Sequence, residues 1–157
     1  MMRIRALIIL AALFVAAPLF ANETKIYSSY ETVRQALLKN SVADVQKSAK
    51  TLASAARSEK QERIAVQADA LAEATDLASA RRVFAALSDG VITYRAAACC
   101  ERPSVAYCSM EKKSWLQPAG TPISNPYLDG SMRTCGQFVK DEGAHTVTTI
   151  RSNLRGE

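Results

Sequence analysis

Two thiols and two thioethers near the C-terminal end, Cys108, Met110, Met132 and Cys135, are spaced so that they can converge on one soft metal ion. Cys108 and Met110 are two residues apart and leave the same face of an extended strand. Met132 and Cys135 are three apart and share a face on a single helical turn. Between them, a turn at Asn125-Pro126 and another at Asp129-Gly130 give the chain the means to fold back and bring the pairs together. Mixed Cys/Met sulfur favours Cu(I) or Ag(I), whereas zinc draws on thiolate, imidazole and carboxylate. Trp115 has two readings: an indole face laid over an incompletely coordinated cation, or, favoured, a large ring that pins the loop to the rest of the domain. Asn125, Pro126 and Tyr127 read as loop architecture that sets ligand geometry, with Tyr127 packing inward.

A disulfide competes with the metal. Two sulfurs on one ion and two sulfurs in a bridge both need their Cβ atoms close, so Cys108 and Cys135 suit either state. The adjacent Cys99 and Cys100 are read as a structural or redox reserve. Bridges from them to Cys108 or Cys135 would leave only thioethers for metal. Catalysis is not expected. His145 is the one histidine, no Asp or Asn partner can be assigned to it, and neither a phosphate-binding glycine loop nor a close carboxylate pair is present. A surface position suits His145 better than a peripheral metal donor.

The address of the chain bears on this choice. Arg3 and Arg5 precede an apolar run from Ala6 to Phe20, and small Ala21 precedes polar Asn22, the order of a secretory signal peptide cleaved after Ala21. The run is shorter than the ~20 residues of a spanning helix, so no permanent membrane span is expected. Export to the periplasm permits disulfides. Residues 22–157 keep 18 basic and 15 acidic residues, a formal charge of +3 without a basic cluster, which excludes an electrostatic footprint for nucleic acid. Cleavage also leaves Met110 and Met132 as the only methionines, each beside a cysteine.

The elements that must position these sulfurs come in two blocks. Residues 22–98 contain no proline and a single glycine, Gly90, and are rich in strong helix formers. Their apolar residues recur at three- and four-residue steps: Tyr30, Val33 and Leu37; Val42, Val45, Ala49, Leu52, Ala53 and Ala56; Ile64, Ala68 and Leu71; Val83, Phe84, Leu87, Val91 and Tyr94. Ser41 is placed to cap the second helix, and the fourth is expected from about Ser79. The expected fold is mainly α, an antiparallel four-helix bundle followed by a C-terminal Cys/Met loop with short β-strands. After Cys100 prolines and glycines break the helical pattern. Residues 99–140 are expected to pack on the bundle as part of one domain, with strands at 105–108 and 137–140, and 141–157 to form a polar tail.

The strings YCSM, SW, ISNPY and MRTCG, in that order, resemble a bacterial domain of unknown function that occurs alone in exported proteins and at the C-terminus of some heavy-metal efflux adaptors. A fainter likeness runs through YETVRQALLKNSVADVQKSA and ARRVFAALSDGV. Members typically carry proline where Ser109 stands, and helical histidines and methionines that this chain lacks. The resemblance implies copper or silver handling, with an efflux adaptor or a copper carrier as partner. The expected function is therefore periplasmic binding of Cu(I) or Ag(I) for tolerance or delivery. Its rival is a disulfide-stapled structural or interaction domain that holds no metal.

Overall fold

The computed structural model describes residues 25–96 and 102–140. The expected signal peptide, Cys99, Cys100, His145 and the tail lie outside them. Among the described residues the protein is mainly helical, with four α-helices followed by a small three-stranded antiparallel sheet. Among the described residues no helix is long and apolar enough to cross a membrane.

Helices α1 (Lys25–Leu38), α2 (Val42–Ser58), α3 (Glu62–Ala72) and α4 (Leu77–Ala96) follow the apolar stripes. Each stripe is buried except at Val42, Val83 and Tyr94, which are half-buried. Helices α1 and α2 stop where the backbone turns left-handed. Asn40 has φ 57°, and the next amide, that of Ser41, donates to the Ala36 carbonyl. Lys60 has φ 58°, and the Gln61 amide donates to Ala56 in the same way. Both arrangements satisfy carbonyls that the last turn leaves open. The Ser41 side chain then accepts from the Asp44 amide and starts α2. At the head of α4, Asp76 and Ser79 exchange side-chain and backbone hydrogen bonds, which sets the start at Leu77 rather than Ser79. Successive helices pack against each other, and α1 also meets α4. Gly90 lies where a Cβ would come within 2.7 Å of the Gln67 side-chain oxygen, so its bare Cα makes room for α3.

The C-terminal block holds more regular structure than its prolines and glycines suggest. Strand β1 (Ser104–Cys108) occupies the expected position, but a second strand, β2 (Lys113–Gln117), runs back along it from Cys108 opposite Lys113 to Ser104 opposite Gln117. The turn between them is residues 109–112, closed by Lys112 at φ 53°. Strand β3 is confined to Gln137–Phe138, shorter than the expected 137–140, and pairs with β1 on its other side. A 3-10 helix, Gly130–Thr134, stands where an Asp-Gly turn was expected. β2 escaped the sequence pattern because Trp115, Leu116 and Gln117 are all buried, so no alternation of exposed and buried positions marks it. Its burial comes from packing on α4.

Sheet and helices share a core and a buried polar hub. The Tyr30 ring stacks on Phe84 at 5.1 Å, and Phe84 meets Tyr127 at 5.8 Å. Ser88 of α4 takes part in hydrogen bonds with the hydroxyls of Tyr30 (2.7 Å) and Tyr127 (3.3 Å). The Leu116 amide donates to the Tyr30 hydroxyl, and the Tyr127 hydroxyl donates to the Ser114 carbonyl. Burial without these partners would cost each hydroxyl ~1–3 kcal/mol, so the hub fixes how the sheet sits on the helices.

Candidate functional site

The sheet register brings Cys108 and Cys135 together. β1 ends at Cys108, and β3 begins two residues after Cys135, opposite Tyr107. Carried one step further, the register sets Gly136 across from Cys108 and Cys135 beside it. The two sulfurs are 3.0 Å apart, both as free thiols. Period-two alternation along β1 turns Ala106 and Cys108 to the core, and Cys108 is 0% exposed. Cys135 is partly exposed at the end of the 3-10 helix, where its amide donates to the Met132 carbonyl at 2.9 Å.

The two thiols are electrostatically unequal. Burial pushes the Cys108 thiol up, but hydrogen bonds from Cys135, from the backbone amides of Glu111 and Met110 and from the Asn125 side chain outweigh it, leaving Cys108 below the ordinary thiol range. Cys135 moves the other way, because it keeps the proton it shares with Cys108; partial burial and the charges of Cys108 and Glu111 add to the rise. The hairpin turn thus serves Cys108 as a small nest of amide donors for a thiolate.

The methionines occupy other settings. Extended backbone stops at Cys108, so Met110 sits in the hairpin turn rather than two places along a strand, and its side chain is 62% exposed. The same-face argument for Cys108 and Met110 therefore does not hold. Met132 lies in the 3-10 helix, 41% exposed, three residues before Cys135. Among the described residues no three or more His, Cys, Asp and Glu side chains group as a metal site.

Trp115 is 0% exposed on β2. Its Nε1 donates to Gln117 Oε1 at 3.0 Å, and it meets the Tyr127 ring edge-on at 6.1 Å. Tyr127 is buried, and the Lys113 ammonium stands 5.1 Å from its ring centre while also pairing with Glu111 at 2.7 Å.

Between Trp115 and Cys135 the chain has few backbone partners, so side chains satisfy its carbonyls. Gln117 donates to Pro122 (2.9 Å), Arg34 to Ser124 (2.7 Å) and Arg81 to Pro126 (3.1 Å). Asn125, wholly buried, does most. Its amide donates to the Arg133 carbonyl, its Oδ1 accepts from Tyr127, and its Nδ2 donates to the Cys135 carbonyl at 2.8 Å. Asn125 also helps to hold the Cys108 thiol below its ordinary range, so one side chain bears on both cysteines. Arg34 is held flat by two 2.7 Å contacts to Glu31, which orient it toward the loop. Sequence reasoning assigned no role to Arg34, Arg81 or Gly136. Only the glycine directly after Cys135 carried a signal.

Arg81 and Arg133 also meet Asp129, at 2.7 and 3.3 Å. The Arg81 guanidinium chiefly, then Asn40 and Arg133, holds the Asp129 carboxyl well below the usual carboxylate range. A depressed folded value means that the stabilisation is complete above the unfolded value of ~3.9 and is lost as pH falls through the folded value. Asp129→Asn is therefore expected to lower the urea midpoint slightly at pH 7, and the gap to the unsubstituted chain to close progressively in acid. The effect is small because Asp129 is exposed to solvent screening.

No family model, curated protein or solved structure matches this chain.

Proposed function

We propose that this chain is an exported, periplasmic protein that binds Cu(I) or Ag(I) through Cys108 and Cys135, with Met110 and Met132 as thioether donors. The observation that carries the reading is the 3.0 Å approach of two free thiols, one buried and inclined to ionise, the other partly open to solvent. A thiolate is the ligand form of cysteine, and amide donors around Cys108 favour it before any ion arrives. Cys135 supplies the entry path. The exposed thioethers, each within three residues of a cysteine, are soft donors free to close over a captured ion or to pass it on. The likeness of the YCSM and MRTCG strings to an efflux-associated domain points the same way, toward an efflux adaptor or copper carrier as partner. The helices, joined by connections of three or four residues, serve in this reading as an antiparallel bundle and a scaffold.

The same sulfur contact favours a second reading, a disulfide-stapled structural or interaction domain without metal. Competition with a Cu(I) chelator in excess reductant separates them, using a Cys99→Ser/Cys100→Ser background. One tightly held Cu(I) is expected, lost in Cys108→Ser/Cys135→Ser and weakened ~10-fold or more in Met110→Ala/Met132→Ala, the scale seen when supporting partners of a metal site are removed. Equal binding by the methionine variant overturns the thioether assignment. No binding by the reduced chain overturns the metal reading and leaves the staple.

A further inference from the structure

The two cysteines differ in access, and this asymmetry gives the pair a direction. Both sulfurs are thiols, yet they already touch, with backbone on either side fixed by bonds that do not need a bridge: β-pairing up to Cys108, and the Met132 and Asn125 contacts at Cys135. Cys108 offers no surface to an external reagent, whereas Cys135 does. We propose that Cys108 and Cys135 form a thiol–disulfide exchange pair for low-molecular-weight thiols and disulfides of the glutathione class, with Cys135 as the entry sulfur and Cys108 as the resolving sulfur.

In the oxidising direction, the shared proton passes from Cys135 to Cys108 across their 3.0 Å contact, and the Cys135 thiolate attacks one sulfur of an external disulfide. A mixed disulfide forms, and one external thiolate leaves. Cys108 then gives up its proton to solvent and attacks the Cys135 sulfur, the internal bridge closes, and the second external thiolate leaves. Two electrons pass from the protein dithiol to the external disulfide. In reverse, an external thiol opens the bridge at Cys135 and Cys108 departs first. Direct attack at Cys108 is blocked because the residue is wholly buried, whereas Cys135 is partly exposed. The exchange requires no metal, so it stands or falls separately from the proposed metal site. Where both hold, closing the bridge removes both thiolates and releases the ion.

The test uses the metal-free chain with Cys99→Ser/Cys100→Ser, so that the pair is alone. A brief exposure to oxidised glutathione is quenched in acid, and the mixed disulfide is located by peptide mass spectrometry. Glutathione is expected on Cys135 at least ~10-fold more often than on Cys108, followed by conversion to the internal bridge at a rate independent of glutathione concentration. In single-cysteine chains with native far-UV circular dichroism, Cys108→Ser is expected to react with an aromatic disulfide at least ~10-fold faster than Cys135→Ser. Early glutathione on Cys108, or accumulation of a doubly modified chain, overturns the proposal. Because the first measurement leaves both cysteines of the pair in place, it decides the order of attack even where a serine variant fails to fold.

Discussion

Trp115→Ala is expected to destabilise the reduced, metal-free chain by about 3–5 kcal/mol, the range for truncating a fully buried aromatic. No described side chain in the core is larger than Trp115 among those wholly buried, and it stands where sheet, loop and helices meet. Truncation opens a cavity beside Tyr127 and takes from Gln117 Oε1 the indole donor, leaving it the Ser124 amide. Urea denaturation under reductant measures the loss directly. A cost below about 1 kcal/mol would place Trp115 outside the packed core. Loss of the ring also frees the segment leading to Cys135, so alkylation of that thiol should accelerate in parallel.

Gly136→Ala is expected to cost about 2–6 kcal/mol, from two independent sources of about 1–3 kcal/mol each. The first is conformation: Gly136 has φ 151°, a region that side-chain-bearing residues rarely occupy. The second is space. A Cβ there would lie 2.7 Å from Trp115 Cη2, 3.3 Å from Ile123 and 3.4 Å from the Tyr107 carbonyl. The ring cannot swing aside, because it is itself enclosed. A double-mutant cycle separates the two sources. In a Trp115→Phe background the offending ring atom is gone, so the cost of Gly136→Ala should fall toward the conformational part, with only the looser contacts to Ile123 and Tyr107 remaining. Equal costs in both backgrounds would rule out the ring contact. Since Gly136 faces Cys108 across the sheet and follows Cys135, the substitution should also part the two sulfurs and slow bridge formation.

These two residues mark how far the sequence could be read. The helices were legible because an amphipathic helix buries one face against whatever lies beneath it, so Val33, Leu52, Leu71 and Leu87 announce their burial through spacing alone. The Ser41 cap was legible for the same reason, being a contact between residues three apart. β2 was not, since its burial depends on packing against α4, a contact that no local pattern shows. Trp115 could be expected to pin something. What it pins, the glycine after Cys135, depends on a sheet register that no local pattern fixes.

The candidate site divides in the same way. Residue types and spacing by themselves determined that the chain gathers soft sulfur into one stretch, with methionines beside two cysteines and an Asn-Pro turn between. Tertiary structure decided that Cys108 and Cys135, 27 residues apart, meet at 3.0 Å, that one is sealed and the other partly open, and that the methionines face solvent. It also decided that Arg34, Arg81 and Asn125 hold the loop between them. The reason is physical. A helix satisfies its own backbone, so its rules are local; an irregular loop must borrow its hydrogen bonds from distant side chains, and the identity of those lenders is settled only when the whole chain has packed.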